Sequence, residues 1–83
     1  MERFLFNLTD GSPVADDEGL DLANVAAARK EAVRFLADAL NHKGEEFWRD
    51  GRWTLTVSDA RGLVLFSIFV DAIASAAVGP VHR

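Results

Sequence analysis

Apolar and polar side chains alternate along residues 3–9, the two-residue period of a strand with one buried face. The next segment, Asp10–Pro13, combines turn-forming residues, so we expect the chain to reverse there. A short second strand is predicted at Val14–Asp16. Beyond it, Leu20 and Leu22 return apolar side chains toward the core.

From Asn24 the apolar spacing changes to three and four residues, which is typical of an amphipathic helix. Its apolar positions are Val25, Ala28, Ala32, Phe35, Leu36, Ala39 and Leu40. Either Asp21 or Asn24 can cap the amino end by accepting a backbone N–H bond. The carboxyl end is predicted at His42, Lys43 and Gly44, where cations and a left-handed residue are favoured. Residues 45–51 are interpreted as a connection held in place by its aromatic side chains.

Alternation returns at residues 52–58, with Trp53, Leu55 and Val57 on one face of a third strand. Asp59–Gly62 then predicts a three-residue hairpin loop closed by a glycine bulge, which would pair Asp59 with Leu63. The elements predict an α+β fold in the order β-β-α-β-β, one helix packed on a four-stranded, mainly antiparallel sheet. We expect a single domain over residues 1–83, with a core at 3–71 and a tail at 72–83.

The hairpin loop predicts every cross-strand neighbour that follows it, because the side-chain period of a strand is two. Val57 would face Leu65, Leu55 would face Ser67, and Trp53 would face Phe69 on the helix-covered side. The opposite face would then be strongly apolar. It would hold Val64, Phe66, Ile68 and Val70 beside Ser58, Thr56, Thr54 and Arg52, respectively.

An apolar outer face of this kind needs a cover, since soluble monomers rarely expose large contiguous apolar surface. One candidate is a second copy of the chain, which makes a homodimer the predicted assembly. The predicted interface is Val64, Phe66, Ile68, Val70, Thr54 and Thr56. The alternative cover is the Ala-rich tail, which can form a short helix that begins at Asp71 and ends before Gly79.

Composition narrows the remaining possibilities. The chain has 83 residues, so it can hold only one core, and it has no cysteine for disulfides or thiolate chemistry. A net charge of −4 repels phosphate backbones, which makes nucleic acid an unfavourable direct partner. The opening segment lacks the long apolar stretch of a signal peptide, and no stretch has the length of a membrane helix. We therefore expect a cytoplasmic protein.

Four stretches of the sequence form a recognisable set: the opening Arg3–Gly11, the acidic Asp17–Gly19 followed by Leu20 and Leu22, Ala28–Ala32 in the helix, and Val57–Leu65 at the hairpin. Together they resemble a family of short alphaproteobacterial proteins of unknown function. The resemblance covers about residues 3–71. It departs at Phe4, where the family pattern has Tyr, and in the Ala-rich tail. The resemblance implies the same fold, and it implies no activity, cofactor or catalytic residue.

Candidate chemistry is sparse, and we predict neither catalytic residues, nor a cofactor, nor a metal site. The two histidines, His42 and His82, have no carboxylate partner in the sequence pattern. A weak candidate for ligand binding is the acidic turn of Asp10, Asp16, Asp17 and Glu18, whose carboxylates could approach a hard cation. The aromatic group Phe47, Trp48 and Trp53 lies beside two arginines and could stack a base, but core or interface packing is the favoured interpretation.

Three hypotheses about function follow. The first is a non-catalytic domain for protein interaction and self-association, which is not an enzyme. The second is an antitoxin-like or regulatory protein that acts through another protein. The third is a small-ligand or metal-binding domain that uses the acidic turn or the aromatic group.

Overall fold

A computed structural model describes residues 1–9 and 19–77 of the chain. Within these two ranges the chain forms four strands: β1 at Glu2–Thr9, β2 at Leu20–Leu22, β3 at Arg52–Asp59 and β4 at Val64–Asp71. Two helices, α1 at Val25–His42 and α2 at Gly44–Asp50, lie between β2 and β3. The predicted α+β fold and its strand-strand-helix-strand-strand order are confirmed. The predicted turn at Asp10–Pro13 and strand at Val14–Asp16 lie outside the described residues.

The strands form one antiparallel sheet in the order β2-β1-β3-β4. Strand β3 lies inside the sheet, and its alternate side chains Trp53, Leu55 and Val57 are fully buried. Leu55 and Val57 pack with Phe4 and Phe6 of β1 beneath α1, whereas Trp53 packs against Phe47 of α2. The alternation of β1 and β3 therefore predicted the core strands correctly.

Helix α1 begins where the sequence offers a cap. The Asn24 side-chain oxygen accepts a bond from the Ala27 N–H at 2.9 Å, so Asn24 is the cap and Asp21 is not. Asp21 instead receives the Arg3 guanidinium, with Nε 3.1 Å from Oδ1. Two small residues of the helix, Ala28 and Ala32, are fully buried, which lets the helix lie close to the sheet.

The connection predicted after α1 is helical, which corrects the interpretation of residues 45–51. Helix α1 ends at His42, and α2 begins two residues later at Gly44. The left-handed residue is therefore Gly51, at the end of α2 with a φ of 79°, and not Gly44. The Gly51 N–H bonds the Phe47 carbonyl at 2.6 Å, which closes the last turn.

The hairpin between β3 and β4 has the predicted three-residue loop. The Asp59 N–H donates to the Leu63 carbonyl at 2.9 Å, and the Gly62 N–H donates to the Asp59 carbonyl at 3.0 Å. Gly62 has a φ of 89°, the left-handed conformation that the loop requires. The Asp59 side chain also accepts the N–H groups of Arg61 and Leu63.

Beyond the loop, the predicted register is wrong by one residue. Ser58 pairs with Val64, but Val57 pairs with Phe66, so Leu65 is an extra residue on β4. This β-bulge shifts every later pair by one residue on β4, so that Leu55 faces Ile68 and Trp53 faces Val70. The even-numbered residues of β4 from Phe66 onward therefore lie on the helix-covered face.

The tail prediction is also corrected within the described residues. Residues 72–75 have no helical structure, and residues 76 and 77 form a turn. Asp71 does not cap a helix there, because its carboxylate binds Arg52 with Nε 2.6 Å from Oδ1. The Ala72 N–H instead donates to the Gly51 carbonyl at 2.9 Å, which extends the β3–β4 ladder by one residue. Neither described helix is long and apolar enough to cross a membrane.

Candidate self-association surface

Strand β4 is the last strand of the sheet, so one of its two edges faces away from β3. The bond from the Ala72 N–H to the Gly51 carbonyl shows that the backbone groups of Ala72 point at β3. In an antiparallel ladder, residues at steps of two share one orientation of their backbone groups. Val70, Ile68 and Phe66 therefore point their N–H and C=O groups at β3. Ser67, Phe69 and Asp71 point theirs at the free edge.

Beyond the bulge at Leu65, this edge lacks the charged residues and prolines that often prevent strands from pairing with other chains. Protected edges carry lysines, prolines or inward-pointing charges. Residues 64–70 contain no charged residue and no proline. The first charge is Asp71, at the end of the strand, and it is already paired with Arg52.

The helix-side face of β4 carries Phe66, Ile68 and Val70, which corrects the orientation predicted for these three residues. All three are half-buried and pack against the hydrophobic core. The bulge at Leu65 is the physical reason, because one extra residue exchanges the two faces of the strand. Leu65 itself also packs against the core.

The outer face of β4 is less apolar than predicted, and one aromatic residue dominates it. Phe69 lies opposite Thr54 and is 67% exposed. Ser67 lies opposite Thr56, with the two hydroxyl oxygens 3.5 Å apart. Val64, opposite Ser58, is 56% exposed. Val64, Thr54 and Thr56 therefore lie on the outer face of the sheet, where the sequence placed them. Contact with a partner stays a prediction for the whole predicted interface: Val64, Phe66, Ile68, Val70, Thr54 and Thr56.

The sequence interpretation also placed Phe69 on the wrong side of the sheet. Its exposure is unusual for a large aromatic ring in a small domain. The sequence did indicate the ambiguity, because apolar residues occupy both the even-numbered and the odd-numbered positions of β4, and either set could have faced the core. Only the β-bulge decides which of the two sets faces the core. Leucine is not a residue type that indicates a bulge, so the sequence does not predict one at Leu65.

Other candidate sites have little support within the described ranges. Residues 1–9 and 19–77 contain no group of three or more His, Cys, Asp or Glu side chains that could hold a metal ion. The acidic residues Asp10, Asp16, Asp17 and Glu18 lie outside those ranges, as does His82. His42 is placed by its own helix, with Nδ1 2.8 Å from the Asp38 carbonyl oxygen.

The aromatic group is mainly structural. Phe47 and Trp53 are buried, with ring centroids 5.3 Å apart in an edge-on arrangement. The Trp53 indole N–H donates to Asp50 at 3.2 Å. Only Trp48 is largely exposed, so the group does not present several rings for stacking.

Comparison with known proteins places this fold in a family. The model of the domain of unknown function DUF6894 matches residues 3–71. The chain belongs to the DUF6894 family. No curated protein and no solved structure matches the chain.

The DUF6894 match includes the whole sheet apart from Glu2 at the start of β1, and it ends at Asp71, the last residue of β4. The candidate edge is therefore part of the family domain, whereas the Ala-rich tail follows it. The expected membership of an uncharacterised family is thus confirmed. The alphaproteobacterial origin and the individual motifs stay predictions.

Proposed function

We propose that this DUF6894 domain is a non-catalytic protein-interaction domain that self-associates into a homodimer. In this proposal, β4 of one copy pairs with β4 of a second copy, so that two four-stranded sheets become one continuous sheet. The observation that carries the proposal is the edge of β4 away from β3, which no strand of the described residues pairs with and which has no charged residue from Val64 to Val70; the backbone groups of Ser67 and Phe69 point toward it.

Backbone bonding supplies the first part of the stabilisation. Strand addition satisfies main-chain donors and acceptors along an open sheet edge, and alternate side chains supply specificity. Ser67, Phe69 and Asp71 can each exchange N–H and C=O bonds with the added strand.

Apolar contact supplies the second part. Phe66, Ile68 and Val70 are only half-buried, although they face the helix side. A second β4 beside the first would place the same three side chains of the copy next to them. Three residues of the predicted interface, Phe66, Ile68 and Val70, would then take part in it through the sheet edge, and not through the outer face.

The size of the domain gives a further reason for association. A chain of 83 residues buries a smaller fraction of its surface than a larger domain does, and no disulfide compensates. Pairing at β4 would bury additional apolar surface without requiring a longer chain.

Light scattering coupled to size-exclusion chromatography tests the proposal. The full chain is expected to be dimeric at high micromolar concentration and to dissociate on dilution. Ser67→Pro is expected to be a folded monomer, since its N–H faces the free edge and is not needed by β3. The matched control Ile68→Pro removes an N–H that faces β3, and circular dichroism is expected to show loss of the fold.

A second variant guards against local strain from the proline ring. Ser67→Glu places a charge on the edge without changing the backbone and adds to the net negative charge of each chain, and it is also expected to be a folded monomer. A wild-type chain that stays monomeric at all concentrations would overturn the proposal. So would dimers that persist in both Ser67 variants.

A further inference from the structure

We infer that the two-fold axis of the dimer passes through Phe69, an inference that rests on the self-association proposed above. The axis is determined by where β4 is regular. The bulge at Leu65 ends regular pairing on one side, and the Ala72–Gly51 bond extends it on the other. The regular ladder therefore runs from Phe66 to Ala72, and its middle residue is Phe69.

A two-fold ladder between identical antiparallel strands is longest when the axis passes through the middle of the regular segment. With the axis at Phe69, every residue from Phe66 to Ala72 has a partner inside the regular segment of the second copy. An axis at Ser67 or Ile68 would instead bring the copy's strand against the bulge, where backbone pairing is disrupted.

The backbone phase agrees with this position. Phe69 has its N–H and C=O groups at the free edge, so it can exchange both bonds with Phe69 of the second copy. An axis that falls between two residues would place groups facing β3 opposite groups facing the edge. Such a register loses the hydrogen bonds and also mixes the two faces of the sheet.

The side chains are self-complementary in this register. On the helix side, Ile68 lies opposite Val70 of the copy, and Phe66 lies opposite Ala72 of the copy. On the outer face, Ser67 lies opposite Asp71 of the copy, where its hydroxyl can donate to the carboxylate that Arg52 also binds. The register brings no carboxylate opposite another carboxylate.

The register also gives the exposed ring of Phe69 a partner. Phe69 is 67% exposed on the outer face of an isolated chain. Residues directly opposite each other in a bonded antiparallel pair have Cα atoms about 5.5 Å apart, so two aromatic rings there are in contact. The pair of Phe69 rings would shield the centre of the new strand pair from water.

Single-cysteine cross-linking tests the position of the axis, because the chain contains no cysteine of its own. Cα atoms opposite each other in a ladder lie within the range that a disulfide spans. Phe69→Cys is therefore expected to give a covalent dimer as the main product of mild oxidation. Ser67→Cys and the control Thr54→Cys, on the same face of the sheet, are expected to stay mostly uncross-linked.

A mixture of two variants reports the same register with Phe69 intact. Ile68→Cys and Val70→Cys chains are expected to cross-link to each other several-fold more than either does to itself. If wild-type chains are dimeric but Ser67→Cys or Ile68→Cys cross-links preferentially with itself, the axis at Phe69 is wrong and the dimer stands. If wild-type chains are monomeric by light scattering, both proposals fail.

Discussion

The ring of Phe47 meets the ring of Trp53 edge to face, with centroids 5.3 Å apart. This contact attaches the short helix α2 to the sheet, because Phe47 is the buried residue of that helix. A helix of this length has little stability of its own. The position of α2 therefore depends on tertiary packing.

Phe47→Ala is expected to lower the free energy of unfolding by about 3 kcal/mol, since it empties a buried aromatic site. Urea denaturation at one fixed protein concentration measures this, because association makes stability depend on concentration. The matched control is Trp48→Ala, the adjacent aromatic, which is 56% exposed. Its ring meets that of Phe47 edge on, with centroids 6.0 Å apart, so it is expected to lower stability by only about 1 kcal/mol. Equal losses in the two variants would contradict the packing described here.

Asn24→Ala is expected to cost about 1 kcal/mol, because it removes the side-chain acceptor for the Ala27 N–H at the start of α1. Asn24→Asp is expected to retain the stability, since it keeps an oxygen there and adds a charge that the helix dipole favours. Asp21→Ala serves as the control. It removes only an exposed ion pair with Arg3, so a loss as large as that of Asn24→Ala would mean that Asp21 contributes to capping.

Three glycines are expected to respond differently to alanine. Gly44 lies in α2 with open space around it, so Gly44→Ala is expected to raise stability by about 0.5 kcal/mol. Gly62 also has open space but a positive φ, so Gly62→Ala is expected to cost about 1 kcal/mol.

Gly19→Ala is expected to be the most harmful of the three. Besides its positive φ, an added Cβ at Gly19 would lie 2.5 Å from the Phe4 carbonyl oxygen. Thermal unfolding of the three variants under one condition gives the order directly. A Gly19→Ala variant as stable as Gly62→Ala would show that β1 and the start of β2 can move apart without loss.

Added salt is expected to strengthen the proposed dimer. Each chain carries a net charge of −4, so two copies repel each other, and salt screens that repulsion. The β4 edge contributes apolar and backbone contacts, which salt does not weaken. Sedimentation equilibrium at low and moderate NaCl measures the change, and weaker association at moderate NaCl would point to an interface held mainly by ion pairs.

Periodicity predicted the long elements of this fold well. The helix spacing from Val25 and the alternation of Trp53, Leu55 and Val57 depend on one buried face each, and the core confirms both. The hairpin loop at Asp59–Gly62 was equally predictable, because glycine and aspartate are favoured there for stereochemical reasons.

The errors arose where tertiary structure decides between local alternatives. Helix α2 has only one buried residue, so its sequence shows no helical period. The bulge at Leu65 reverses the faces of β4, and a strand with apolar residues on both parities accepts either result. The tail continues the β3–β4 ladder at Ala72, whose N–H bonds the Gly51 carbonyl. The pattern of apolar and polar side chains gives no information about such a backbone bond. The antitoxin-like and cation-binding hypotheses stay predictions.

The Asp59 carboxylate, which accepts two N–H groups inside its own loop, has a consequence for the order of folding. Closing this hairpin fixes only neighbouring residues, whereas β1 must wait for both helices before it can reach β3. We expect the β3–β4 hairpin to assemble early, so that the edge of β4 that faces away from β3 is exposed before the rest of the sheet is complete. Full-length chains that refold together at high concentration would then meet first through this edge of β4, and mispairing there is an aggregation hazard.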